Sequence, residues 1–161
     1  MVLDHRRVAG QTPHEAGRCL LAELYYAQTG QPLPPVLTTP RGKPYLEGNP
    51  LYFSISHTRH HAFCALSDRP IGIDAEEIDR IIPPMLAEKI LSPAEKIRYA
   101  AASDKNEALL RLWVLKEARA KFLGTGLTGY PNHTDFSPAD SRITQQHGCF
   151  VAVIQEEDYA F

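Results

Sequence analysis

Cysteine is scarce in this chain, and long apolar runs are missing. Three cysteines, Cys19, Cys64 and Cys149, stand far apart and are odd in number. That pattern supports neither a disulfide framework nor a zinc site. Cys64 lies in the apolar run AFCAL and reads as a small core residue. No apolar run approaches the roughly 20 residues of a membrane span. The opening MVLDHRRVAG has no apolar signal region, so the expected compartment is the cytoplasm, with no membrane partner. An excess of positive charge is lacking too: 17 basic and 19 acidic residues leave a net charge of −2. A general nucleic-acid coat protein is more basic, so no nucleic-acid partner is expected. A balanced total still permits local patches that hold an anionic substrate. Repeats and low-complexity tracts are absent.

What is present fits a packed α+β chain. Hydrophobic residues make up 43% of 161 residues, enough for one domain or two small subdomains. Thr12-Pro13-His14-Glu15 is a helix start, with Thr12 as cap and Glu15 completing a capping box. Ala16, Leu20, Leu24 and Ala27 recur at helical spacing until Gly30 and the prolines at 32–35 end the helix. Residues 36–75 read as strands: Leu51, Phe53 and Ile55 alternate with Tyr52, Ser54 and Ser56, and Ile71, Ile73 and Ala75 alternate with Gly72 and Asp74. Ser92 to Glu95 forms a second capping box. Asp104 and Glu107 open a helix to about Phe122 whose apolar surface is wide enough to be largely buried. Residues 142–154 read as a hairpin turning near His147-Gly148, and a seam is expected near Ser67–Pro70.

Four segments carry candidate chemistry. In Gly72-Ile73-Asp74-Ala75-Glu76, residues two apart on a strand point to one side. Asp74 and Glu76 therefore present two carboxylates together, either as solvated charges or as oxygen ligands for a hard cation. In Trp113-Val114-Leu115-Lys116-Glu117-Ala118-Arg119-Ala120-Lys121, Glu117 and Lys121 lie one turn apart. They are an ordinary surface pair unless the helix is buried, where paired or coordinating charges are the rule. In Phe53-Ser54-Ile55-Ser56-His57, His57 is either a hydrogen-bonded structural histidine or a phosphate donor. Arg41-Gly42-Lys43-Pro44 lacks the rest of a P-loop and is a basic turn that could hold phosphate.

In this order the segments resemble the 4'-phosphopantetheinyl transferase superfamily, of the surfactin-synthetase-activating type. RGKP at 41–44, FSISH at 53–57, GIDAE at 72–76, WVLKEARAK at 113–121 and GTGL at 124–127 carry the resemblance. Ser54 stands where the family pattern has Asn. The resemblance implies two similar α+β halves, 1–66 and 67–161, with the site in the cleft between them. It implies Mg²⁺, or Mn²⁺, held by Asp74, Glu76 and Glu117 against the pyrophosphate of coenzyme A. Lys116 and Lys121 would neutralise phosphate oxygens, with Glu117, Lys121 and Lys116 as the catalytic set. Ser56 and His57 would meet the 3'-phosphate, and Arg41, Lys43 and Pro44 the adenine end. The implied activity is transfer of 4'-phosphopantetheine from coenzyme A to a serine of an apo acyl or peptidyl carrier protein, releasing 3',5'-ADP. Lys89, Lys96, Arg98 and Lys105 are candidates to receive an acidic carrier, and the chain is expected to be a monomer or small homo-oligomer. Two other readings stand beside this one: a metal-dependent nuclease using the same acidic residues, and a non-catalytic homologue that binds carrier protein or coenzyme A.

Overall fold

The computed structural model describes residues 1–48, 51–127 and 131–155, so the last residues of the expected second half, 156–161, lie outside the described residues. The elements run β1 (Val2–Arg7), α1 (Pro13–Thr29), β2 (Val36–Thr38), β3 (Pro44–Leu46), β4 (Tyr52–His57), β5 (His61–Ser67), β6 (Ile71–Glu77), α2 (Met85–Ile90), α3 (Pro93–Ala101), α4 (Lys105–Leu123), a 3-10 turn at Pro131–His133, β7 (Ile143–Gln146) and β8 (Cys149–Gln155). Both capping boxes form, Thr12 with Glu15 and Ser92 with Glu95, while Asp104 caps α4 by accepting from the Glu107 N–H. Gly30 and Gly124 close α1 and α4 in the left-handed conformation that glycine adopts without steric penalty.

Among the described residues two antiparallel three-stranded sheets, in the orders β1-β5-β4 and β6-β8-β7, stand beside a small β2-β3 ribbon. The first sheet packs on α1 through Leu20, Leu21, Leu24, Phe53, Cys64 and Leu66. The second packs on α4 through Leu109, Leu112, Leu115, Phe150, Ala152 and Ile154 among others. Between the sheets lies a third apolar cluster, in which Phe63 and Ala65 of β5 meet Ile71, Ile73, Cys149 and Val151. Burying a side chain the size of Phe63 contributes about 2–3 kcal/mol. Along the β4 and β6 edges two serines replace a backbone ladder: Ile73 N–H donates to Ser54 Oγ at 3.0 Å and Ala75 N–H to Ser56 Oγ at 3.1 Å.

Gly72 sets the distance between β6 and α4. A Cβ there would collide with the Ala118 carbonyl oxygen and the Phe122 nitrogen, and would stand 2.8 Å from Phe122 Cα. The helix therefore rests on the strand backbone, and the side chains that follow Gly72 on that face, Asp74 and Glu76, come alongside α4. Among the described residues no helix is long and apolar enough to cross a membrane.

Candidate active site

On β6 the alternating positions 72, 74 and 76 share one side, and on α4 the positions 121, 117 and 113 share one face. Gly72 meets Phe122, Asp74 meets Lys121, and Glu76 meets Trp113.

Asp74 is buried, with Oδ1 accepting from Lys121 Nζ at 2.8 Å and from Ser56 Oγ at 2.8 Å. Its Oδ2 is buried without a hydrogen bond among the described residues. Lys121 also reaches the Ile55 carbonyl at 3.3 Å, tying α4 to β4. Glu76 Oε1 accepts from Trp113 Nε1 at 3.3 Å and pairs with the Arg80 guanidinium, which also lies over the Trp113 ring at 5.6 Å. Burial, and then the charge of Asp74, raise the Glu117 carboxyl above its ordinary range, while Lys121 and Arg80 oppose that rise.

A cleft of about 290 Å³ opens beside this row. Glu117, Ala120 and Lys121 line one side, Phe53, Ser54 and Ile55 another, and Arg41, Gly42, Lys43 and Pro44 a third, with Gly124 and Gly126 at the end of α4. The basic turn is thus brought onto the helix terminus. Lys43 Nζ donates to the Phe122 carbonyl, its stem runs over Gly124, and burial lowers its pKa.

Other predicted residues lie elsewhere. Ser56 is buried beneath the row as a partner of Asp74. His57 is exposed and lines a neighbouring cleft with Thr58, Arg59, Glu76, Glu77 and Arg80. Lys116 precedes Glu117 but is rotated about 100° around the helix. Its side chain is 1% exposed, pairs with Glu95 at 2.7 Å and donates to the Thr134 carbonyl at 3.0 Å. Burial lowers the Lys116 pKa against the pull of Glu95. An ammonium sealed in that interior does not face the cleft. Of the basic surface residues, Lys96 pairs with Glu88 at 2.6 Å, Arg98 donates to the Phe136 carbonyl at 2.9 Å, and Lys105 caps α3 through the carbonyls of Tyr99 and Ala102; Lys89 is exposed. A thiol nucleophile has no place at Cys64, where burial pushes the pKa up to about 12.

Sequence reasoning missed Ser56 as the partner of Asp74, Glu95 as the partner of Lys116, and Arg80. Glu95 had a visible signal, but as a capping residue. Its Oε2 does accept from the Ser92 N–H at 2.8 Å, and the same carboxylate binds Lys116 and the Phe136 N–H.

The donor chemistry at Asp74, Glu76 and Glu117 is all carboxylate oxygen, and the orphaned Asp74 Oδ2 lacks a partner that a hard cation would provide. These residues fit such an ion chemically. As the side chains stand, no three His, Cys, Asp or Glu groups among the described residues are gathered closely enough to hold a metal. Lys121 pairs with Asp74 Oδ1 and Arg80 with Glu76 Oε1 instead.

A family model described as the 4'-phosphopantetheinyl transferase superfamily matches residues 70–159. The chain is 33% identical over 88 residues to the 4'-phosphopantetheinyl transferase gsp of Aneurinibacillus migulanus, covering 53% of this chain and 36% of that one. It is 30% identical over 117 residues to the 4'-phosphopantetheinyl transferase psf-1 of Bacillus pumilus, covering 70% and 50%. Over 60 residues it is 40% identical to a holo-[acyl-carrier-protein] synthase of Thermotoga maritima, covering 37% and 35%. The chain thus spans half or less of the length of these curated relatives. A crystal structure of the Thermotoga maritima holo-[acyl-carrier-protein] synthase aligns with a TM-score of 0.38 and 26% identity, over 53% of this chain and 61% of that one.

Proposed function

The chain belongs to the 4'-phosphopantetheinyl transferase superfamily, and we propose that it transfers the 4'-phosphopantetheine arm of coenzyme A to a serine of an apo carrier protein. One observation carries the reading. The α4 face bearing Glu117 and Lys121 lies along the β6 face bearing Asp74 and Glu76, and Glu117 and Lys121 border the cleft that also holds Arg41, Lys43 and Pro44. A site for two phosphates and a proton acceptor needs this combination of carboxylates and cations.

In the proposed reaction the serine Oγ attacks the β-phosphorus of coenzyme A. The bond from that phosphorus to the bridging oxygen breaks, and 3',5'-ADP leaves with the bonding pair. Glu117 takes the serine proton. Lys121 offsets charge gathering on the leaving phosphate. Arg41, Lys43 and Pro44 hold the adenine and 3'-phosphate end, with His57 contributing from the neighbouring cleft. Asp74, Glu76 and Glu117 would hold Mg²⁺ or Mn²⁺, which when bound offsets the negative charge of the pyrophosphate. Lys116 serves in this reading through the α4–α3 contact rather than by touching phosphate. The two sheets, each with one long helix, are read as two similar halves, 1–66 and 67–161. A cytoplasmic enzyme acting on an acidic carrier completes the proposal.

The test is the intact mass of an apo carrier protein incubated with this protein, coenzyme A and Mg²⁺. A gain of about 340 Da, the mass of the phosphopantetheine group, supports the reading. An unchanged mass across carriers from fatty-acid, polyketide and peptide synthesis overturns it.

A further inference from the structure

Arg80 lies outside every motif that carries the family resemblance, yet it holds one of the proposed metal carboxylates. It sits four residues beyond Glu76, where the chain turns back after β6 and Arg80 N–H donates to the Glu77 carbonyl at 2.9 Å. Its guanidinium pairs with Glu76 Oε1 and lies over the Trp113 ring at 5.6 Å. The Glu76 side chain is 14% exposed and that of Arg80 44%, so the arginine covers the carboxylate from the solvent side. The backbone beneath it is pinned: Asn106 Nδ2 donates to the Arg80 carbonyl at 2.9 Å, and Asn106 Oδ1 accepts from Ile82 N–H at 3.2 Å. The side chain meanwhile borders a cleft of about 550 Å³, which gives it room to turn without moving the chain.

We propose that Arg80 is a positioning residue: the counter-ion that holds Glu76 in the cation-free protein and must turn away before Glu76 ligates a divalent cation. The inference rests on the reading of Asp74, Glu76 and Glu117 as the metal site. Three neighbouring carboxylates repel one another unless cations stand between them. Here Lys121 compensates Asp74 and Arg80 compensates Glu76. A guanidinium does not give up its proton near neutral pH, so the pair opens only by movement. That opening is a cost set against metal affinity, and removing the guanidinium removes the cost. A merely structural arginine predicts the opposite, since its loss would loosen Glu76 and weaken binding.

Mn²⁺ binding without coenzyme A, followed by the electron paramagnetic resonance signal of free Mn²⁺, separates the two. Arg80→Gln is expected to bind Mn²⁺ about fivefold more tightly than wild type, the size of a partly exposed ion pair. Arg59→Gln controls for general charge, because Arg59 lines the same cleft, and it is expected to change affinity by less than about twofold. Arg80→Lys, which keeps the charge without the fork, is expected between wild type and Arg80→Gln, and it serves if Arg80→Gln does not melt cooperatively. Equal or weaker binding by Arg80→Gln, or an equal gain in Arg59→Gln, overturns the proposal while leaving the metal reading intact. Failure of every variant to bind Mn²⁺, with or without coenzyme A, removes the metal reading and this inference with it.

Discussion

Gly72 of β6 lies against Phe122 of α4 with no room for a side chain: an added Cβ would stand 2.8 Å from Phe122 Cα and would overlap the Ala118 carbonyl. The obstacle is helix backbone, which cannot swing aside as a side chain would. Gly72→Ala is therefore expected to lower stability by about 1–3 kcal/mol or more, read from urea denaturation. Because the same contact brings Asp74 to Lys121, transfer activity should fall in the fraction that remains folded. A variant with wild-type stability and turnover would show that the close approach of strand and helix is dispensable.

Lys116 and Glu95 form an ion pair whose side chains are 1% and 0% exposed. Lys116→Met leaves the Glu95 carboxylate buried against the Ser92 and Phe136 N–H groups without its cation. The expected loss is about 3–5 kcal/mol, the cost of breaking such a pair from one side. Glu95→Gln in the same background should recover part of it. A Lys116→Met protein that melts like wild type but has lost turnover would instead return Lys116 to the phosphates.

The helices were largely legible because their signals are local. Thr12, Ser92 and Asp104 cap α1, α3 and α4 where their sequence contexts indicate, and the hairpin turns at His147-Gly148. The strand β1 was missed: Val2-Leu3-Asp4-His5-Arg6-Arg7 has no clean alternation, and its pairing with β5 supplies the order. Asp74, Glu76, Glu117 and Lys121 were legible as candidates because strand and helix periods place them on faces. Which cation each carboxylate meets was not. Arg80 reaches Glu76 through a tight turn, and Ser56 reaches Asp74 from another sheet. Lys116 was expected at the phosphates through the family resemblance, whereas a helix sends Lys116 and its neighbour Glu117 to different sides.

The rings of His5 and His147 stack with centroids 3.3 Å apart, and His61 lies 5.9 Å from His5. This cluster joins β1 and β5 to the turn between β7 and β8. Burial, followed by neighbouring histidine charge, lowers the pKa of both His5 and His61; Asp4 opposes this at His5, while at His61 Glu77 opposes it and Arg7 adds to it. A lowered folded pKa means that the fold favours the neutral ring. Its full stability is present above the ordinary imidazole value of about 6.5 and is lost as pH falls from there through the folded values. The melting temperature should therefore drop as pH falls below about 6.5. His147→Asn, which tolerates the positive φ of 50° at that position, should reduce the drop. An unchanged pH profile in that variant would remove the cluster as its source.

The central claim places phosphopantetheine transfer at the α4–β6 row, and Glu117→Gln tests it most directly. The substitution keeps size and helix propensity while removing a charge that burial disfavours, so the melting temperature should hold or rise. The rate of mass gain on an apo carrier at saturating coenzyme A and Mg²⁺ should fall by on the order of 10²-fold or more, and excess chelator should abolish transfer by the wild type. A folded Glu117→Gln protein with near-normal turnover, or full wild-type turnover in chelator, would contradict the account.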